Sequence, residues 1–335
     1  MSYPVAINGV GRIGRALIRQ IAARQDLRLA AVNDLAPVER LARLLARDTF
    51  LGPFPGGIDV DGGQLVVDGH PVPVYGEQDP ADVPWASHGT RLVVEATGTL
   101  TRGRAAAVHF ADGVEHVVVS GNAPEADITV CYGVNHHLVD PARHRLISNS
   151  SCTTNCLAAV ADVLHGGLGI ERALLNTVHC FNNSQSLTDA PHADPRRARS
   201  AAVNMIPTTT GAAAAIGLVL PALANRVTGF AVRVPAAQVS LIDLVAELAR
   251  PTTVDEVNDL FRRAAAGTHG GILSVSDDEC VSSDFIGDNH SAIVDLPLTQ
   301  LVGDETGRLV RVVAWYDNEM GYASRLADLA AWLGA

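Results

Sequence analysis

The sequence contains no lysine; all 25 of its basic residues are arginines. That excludes Schiff-base chemistry on a lysine amine. It also makes any anion site an arginine site, built on planar forks that suit phosphate and carboxylate. Cysteine is sparse and scattered: Cys131, Cys152, Cys156, Cys180 and Cys280. An odd set at these spacings is no disulfide framework, and the CxxC spacing of thiolate metal centres is missing, so no metal site is expected. No apolar run is long enough to span a membrane. The start, Met1-Ser2-Tyr3-Pro4-Val5, shows no basic-then-apolar leader, so a cytoplasmic protein is expected. Excess positive charge is also missing: the formal net charge is −11, which disfavours nucleic acid and anionic membranes as partners. Internal repeats and low-complexity linkers are absent.

What is present is a chain of 335 residues with 47% hydrophobic content, long enough for two domains with sizeable cores. Its most informative segment is Ser150-Ser151-Cys152-Thr153-Thr154-Asn155-Cys156, followed by the apolar helical pattern Leu157, Ala158, Ala159, Val160, Val163 and Leu164. Ser, Thr and Asn cap helix starts. Cys152 is therefore expected in a first helical turn, where unpaired N–H groups and the helix dipole favour an anion. A thiol there is expected to have a lowered pKa and to attack as thiolate. The competing reading is a buried cysteine that only fills core.

Residues Val5 to Val10 read as a strand, and Gly9-Val10-Gly11-Arg12-Ile13-Gly14 follows into a helical pattern through Ala16, Leu17, Ile18 and Ile21. A second strand, Leu29 to Val32, ends at Asn33-Asp34. This is the strand, glycine turn, helix, strand and acid order of a dinucleotide site. Gly9, Gly11 and Gly14 permit a tight turn and close backbone approach, the helix N-terminus favours phosphate, and Asp34 falls where it can bond a ribose hydroxyl.

Strand Leu92 to Glu95, a helix over Thr101 to Phe110 and strand His116 to Ser120 continue the alternation, which implies a doubly wound parallel sheet of Rossmann type. After Cys152 longer β segments appear: Ala173 to Phe181, Gly229 to Val234, Val239 to Leu248 and Leu309 to Tyr316. They predict an α+β domain with a mainly antiparallel sheet. The expected division is residues 1–151 for the dinucleotide domain, completed by a C-terminal helix at 318–335, and residues 152–317 for the catalytic domain. The long polar stretch from His179 to Gly211, with Arg196, Arg197 and Arg199, reads as a functional or interface loop.

With these residues in view, the chain resembles the phosphorylating glyceraldehyde-3-phosphate dehydrogenases of bacteria almost end to end. The carrying motifs are Ile7 to Arg15, Ser151-Cys152-Thr153-Thr154-Asn155-Cys156, Thr177-Val178-His179, Ile206 to Ala213, Val232-Arg233-Val234-Pro235, Ser283-Asp284-Phe285 and Trp315-Tyr316-Asp317-Asn318-Glu319. The resemblance implies that Cys152 is the nucleophile and His179 its base, oxidising an aldehyde phosphate through a hemithioacetal and a thioester that inorganic phosphate attacks. It points to Ser151, Thr153, Thr210, Gly211 and one arginine of the Arg196–Arg197 pair around the attacking phosphate, and to Arg233 on the substrate phosphate. Arg12, Ile13, Asp34, Thr97, Ser120 and Asn318 match positions that line NAD in the family, with Asn318 on the carboxamide. A cytoplasmic, glycolytic homotetramer is implied.

The chain departs from the family pattern in three places. Asn182 stands where a threonine is usual, so it is taken as a phosphate donor of a different kind. Arg47-Asp48-Thr49-Phe50-Leu51-Gly52 lacks a customary histidine. Ala190-Pro191 mixes the signatures of NAD-linked and NADP-linked members, while Asp34 repels a 2′-phosphate and favours NAD over NADP. The alternatives are an erythrose-4-phosphate dehydrogenase, a paralogue specialised for inhibitor resistance or detoxification, and, in another class, a binding protein that keeps the fold without catalysis.

Overall fold

The computed structural model describes residues 2–110 and 113–335, and the chain divides into two compact units. The first gathers the residues up to Tyr132, His136–Ser150 and Ala323–Ala335; the second gathers Gly133–Asn135 and Ser151–Tyr322.

In the first unit the order is β1 (Tyr3–Asn8), α1 (Arg12–Ala22), β2 (Leu27–Asn33), α2 (Val38–Ala46), β3 (Val74–Tyr75), β4 (Leu92–Glu95), β5 (His116–Val119), β6 (Ile128–Thr129) and β7 (Leu146–Ser148). All seven strands are parallel, in the order β6-β7-β5-β4-β1-β2-β3. Strands buried on both faces need apolar side chains on both, and β4 and β5 are buried at every position. The chain leaves β1 towards β2 on one side and reaches β4 on the other. The carboxyl ends there open a crevice, the usual ligand position in such sheets. A small antiparallel sheet (Ile58–Asp61, Gln64–Val67, His70–Val72) is inserted before β3.

The helix expected over Thr101 to Phe110 is not formed. Only a 3-10 turn, Ala105–His109, is present. Gly103 takes a left-handed φ of 57°, which interrupts helical progression, and His109 turns fully inward to bond Glu95.

The second unit contains α3 (Cys152–Leu168), β8 (Ile170–Cys180), β9 (Ile206–Thr208), α4 (Ala212–Val219), β10 (Val227–Val234), β11 (Ser240–Thr252), α5 (Val254–Ala266), β12 (Leu273–Ser276), β13 (Ala292–Asp295), β14 (Gln300–Val302) and β15 (Gly307–Tyr316). The sheet order is β9-β10-β8-β11-β15-β13-β12, with β14 also on β15. Pairs β8–β10 and β12–β13 are parallel; the other five are antiparallel. Helix α3 is buried on nearly every side, and its run of small alanines lets it lie close across β11 and β15 with α4 and α5 beside it. The C-terminal helix, Met320–Gly334, begins in this unit, and from Ala323 it belongs to the first.

Gly14 shows how tightly the first turn is built. A side chain there would collide with the Gly9 carbonyl, whereas one on Gly11 would meet nothing within 4 Å. Gly14→Ala is expected to cost about 3 kcal/mol through overpacking against fixed backbone, and Gly11→Ala much less. Chemical denaturation of the two variants measures the difference.

Candidate active site

Ser151 is the N-cap of α3. Its backbone is extended and its Oγ accepts the Thr154 N–H at 3.1 Å. Cys152 is therefore the first helical residue. Across from it, β8 alternates inward and outward side chains and delivers His179 near its end. The Sγ of Cys152 lies 3.6 Å from His179 Nε2. Parallel pairing of β8 with β10 sets Arg233 directly opposite His179. Arg233 Nη1 reaches His179 Nδ1 at 2.6 Å and donates to the Cys180 carbonyl at 3.0 Å, and the same carbonyl lies 2.7 Å from Nδ1.

These contacts define two tautomers. A guanidinium only donates, so the Arg233 contact suits a bare Nδ1, with the ring proton on Nε2 facing sulfur. The carbonyl contact suits a proton on Nδ1, leaving Nε2 to accept the thiol proton. The second arrangement is the one that general-base chemistry needs.

The thiol departs from the sequence expectation. Burial pushes Cys152 up from its ordinary value; the Arg233 charge, the Thr153 hydroxyl and N–H groups at the helix start act in the opposite direction without overcoming it. Position at a helix N-terminus alone does not make this thiol acidic. A proton acceptor is needed, and His179 is the group in place. Behind Cys152, the Thr153 hydroxyl is taken up by the buried Tyr316 hydroxyl at 2.8 Å.

Arg196, Thr208, Thr209 and Thr210 line a recess of about 470 Å³ together with Asp194. Arg196 is the exposed member of the arginine pair; the half-buried Arg197 turns its Nε to Thr208 Oγ1 at 2.8 Å. Thr210 Oγ1 and Gly211 stand at the start of α4. Asn182 Oδ1 accepts both N–H and hydroxyl of Ser184, which engages the oxygen end of its amide. Ser151 Oγ is engaged in the cap and with Thr154 Oγ1. Asn318 accepts the Cys180 thiol at 3.2 Å.

In the first unit a cleft of about 370 Å³ is lined by residues including Gly9, Gly11, Asp34, Leu35 and Thr97. Asp34 accepts the Val10 and Ala36 backbone N–H groups, one on each oxygen, which leaves a lone pair on each for a ligand. Helix α1 has no side-chain cap at Gly11, so N–H groups of its first turn face the approach. Gly14 is buried beneath the turn; Arg12, Ile13 and Ser120 are only partly exposed and lie outside this lining.

Two family models match the chain: "Glyceraldehyde 3-phosphate dehydrogenase, NAD binding domain" over residues 3–103 and "Glyceraldehyde 3-phosphate dehydrogenase, C-terminal domain" over residues 151–318. The chain belongs to the glyceraldehyde 3-phosphate dehydrogenase family. It is 46% identical over 335 residues to glyceraldehyde-3-phosphate dehydrogenase 1 of Streptomyces avermitilis, spanning 100% of this chain and 99% of the relative. Identity to the Bacillus subtilis enzyme of the same name is 46% over 333 residues, 99% of this chain and 98% of the relative. The Geobacillus stearothermophilus glyceraldehyde-3-phosphate dehydrogenase is 45% identical over 335 residues.

The cleft fits the NAD of the family. An uncapped helix start supplies donors for a pyrophosphate. Gly11 is open towards the cleft, and Gly9, at a φ of 95°, leaves no room for a methyl against the Thr97 backbone. Neither Glu95 nor Tyr316 is assigned a contact by motif or spacing in the sequence. Glu95 had a signal: an acid closing an apolar four-residue strand is a buried charge that needs partners. Tyr316 sits in a quoted motif, and nothing in its spacing foretold the bond to Thr153.

Of the five free thiols, Cys131, Cys156 and Cys180 are fully buried, while Cys152 and Cys280 keep some exposure. One equivalent of iodoacetamide is expected to mark Cys152. A thiol alkylates as thiolate, so removing a neighbouring positive charge moves the profile to higher pH. Arg233→Leu is expected to shift it upward by about one pH unit, read from alkylation rate against pH.

Proposed function

We propose that the protein is an NAD-dependent, phosphorylating glyceraldehyde-3-phosphate dehydrogenase. The observation that carries the reading is Cys152 at a capped helix start with its sulfur 3.6 Å from His179 Nε2. In this reading His179 takes the thiol proton, and the sulfur bonds to the aldehyde carbon. The carbonyl oxygen then carries charge beside the Cys152 backbone N–H, which at the first helical position has no intrahelical acceptor. NAD, when bound, supplies the hydride acceptor. Loss of hydride from the carbon leaves a thioester on Cys152. Attack by a phosphate oxygen breaks the C–S bond, forms the acyl phosphate and returns the thiolate.

Arg233 would serve two purposes. Drawn to a substrate phosphate, it leaves Nδ1 to the Cys180 carbonyl, the tautomer that frees Nε2 as base. Arg196, Thr210 and Gly211 are assigned to the attacking phosphate, with Arg197 holding the wall through Thr208. With its amide oxygen engaged by Ser184, Asn182 keeps its NH2 for a donor role there despite the missing threonine. Asp34, Thr97 and the glycine turn are assigned to NAD, and Asn318 to its carboxamide.

We further infer a cytoplasmic homotetramer. Among the described residues no helix is long and apolar enough to cross a membrane. The face of the second sheet away from α3 carries Leu174, 62% exposed, and Phe230, 50% exposed, with Val245 and Leu309. Arg172–Glu247 and Arg311–Asp243 pairs stand between them. A patch of this kind marks an interface, and closed twofold assembly is the usual outcome.

Multiple turnovers with glyceraldehyde 3-phosphate are expected to require added phosphate. Thr210→Ala should raise the KM for phosphate about tenfold while sparing the first acylation burst, measured by stopped flow. Fast turnover without phosphate, releasing free acid, would instead favour the erythrose-4-phosphate type. Phe230→Asp should lower the sedimentation coefficient; an unchanged monomer in both forms would remove the tetramer.

A further inference from the structure

Glu95 closes β4 with its carboxylate buried to 1% exposure beneath the first unit's cleft. Four donors converge on it. Oε2 accepts Asn8 Nδ2 at 2.7 Å and His109 Nε2 at 2.8 Å. Oε1 accepts the Thr97 backbone N–H at 2.8 Å and the Thr97 hydroxyl. Burial raises the carboxyl, but His109, Thr97 and Asn8 outweigh it and hold Glu95 below the ordinary carboxylate value. His109 is fully buried and its Nδ1 has no hydrogen-bond partner. A ring proton on Nε2 reaches Glu95, whereas one on Nδ1 would be an unpaired buried donor.

The bonds continue outward. Asn8 Oδ1 accepts Asn33 Nδ2 at 2.8 Å. Asn33 Nδ2 also donates to the Glu77 carbonyl at 3.0 Å, and Asn33 Oδ1 accepts the Glu77 N–H at 2.9 Å. Thr97, Asn8, Asn33 and Glu77 all line the cleft; Glu95 and His109 do not.

We propose that Glu95 is a positioning residue for the dinucleotide, whose buried charge sets the direction of a relay, Thr97–Glu95–Asn8–Asn33–Glu77, that fixes both walls of the cleft. The inference rests on reading that cleft as the NAD site. Its logic is directional. The Glu77 peptide and the Thr97 N–H cannot reverse, so each amide between them has one orientation that satisfies both neighbours. A carboxylate accepts on both oxygens. A carboxamide at position 95 must turn its NH2 either on the Thr97 N–H or on Asn8 Nδ2 and His109 Nε2–H. His109 can present a bare Nε2 to it only by moving its proton to the buried Nδ1, where no acceptor meets it. Asn8 cannot turn without setting its own NH2 against that of Asn33. The walls must then move.

The test is the pair of wild type and Glu95→Gln, with NAD affinity from titration calorimetry and melting temperature without NAD. Glu95→Gln is expected to weaken NAD binding about tenfold, the scale of coupling through a packed network. Wild-type affinity in Glu95→Gln, with only a lower melting temperature, would make Glu95 structural and overturn the proposal. Failure of the wild type itself to bind NAD would instead overturn the reading of the cleft, and the proposal with it. If Glu95→Gln does not fold, the histidine decides. His109→Leu should weaken NAD binding about threefold, and His109→Gln, which keeps a donor near the Nε2 position, should recover most of that. Equal affinities for those two variants would also overturn the proposal.

Discussion

The chemistry of the second unit depends on where one helix begins. Each residue of an α-helix turns about 100° from the last, so a start one residue later would point the Cys152 sulfur away from β8. Two features set the start. Ser151 lies extended and caps Thr154, and Ser150 before it takes a left-handed φ of 55°. A non-glycine residue there costs energy and persists only where its surroundings enforce it. The same start leaves the Cys152 N–H without an intrahelical acceptor, so one local constraint supplies both the aimed sulfur and, in the proposed reading, the donor for a developing oxyanion.

What faces that sulfur is set by strand register. His179 and Arg233 are paired residues on adjacent parallel strands. A slip of one residue in β10 would turn Arg233 to the opposite face of the sheet. Their closeness means that the guanidinium and the Cys180 carbonyl compete for Nδ1, the first as a donor to it and the second as an acceptor from it. Burial of the thiol works against charge separation, while Arg233 works for it. The resting thiol is thus held towards its neutral form, and in the proposed reading an anion that draws on Arg233 acts through the tautomer of His179 rather than by touching sulfur.

Much of this was readable in the chain. Parallel strands are buried on both faces, so β1, β4 and β5 stand out as short apolar runs, and capping chemistry announces α3. The glycine turn and Asp34 were legible because backbone geometry and spacing are local. Three things were not. The stretch Ala105–His109 looks helical by composition, but Gly103 and the inward turn of His109 to Glu95 override alanine propensity. The thiol shift of Cys152 came out opposite in direction, because sequence displays the helix start and not the burial around it. The Arg233–His179 contact joins residues 54 apart, and only the register of β8 on β10 brings them together.

The same device recurs in both units. Glu95 has two donors on each oxygen, and so does Asp317: Gln238 Nε2 at 2.7 Å and the Gly287 N–H at 2.8 Å on one, the Glu319 and Met320 N–H groups at 2.8 and 3.0 Å on the other. Among the described residues neither has an arginine partner, and Glu95 bonds Thr97 while Asp317 adjoins Asn318, two residues that the family resemblance assigns to the cofactor. An ion pair would satisfy the charge as well, but a guanidinium brings a long side chain with rotamers of its own. Backbone and amide donors are already fixed by the strands and turns that carry them. A carboxylate satisfied by four donors that the fold holds in place therefore converts the rigidity of the fold into a fixed orientation one or two residues away, which is what a ligand-facing hydroxyl or amide needs.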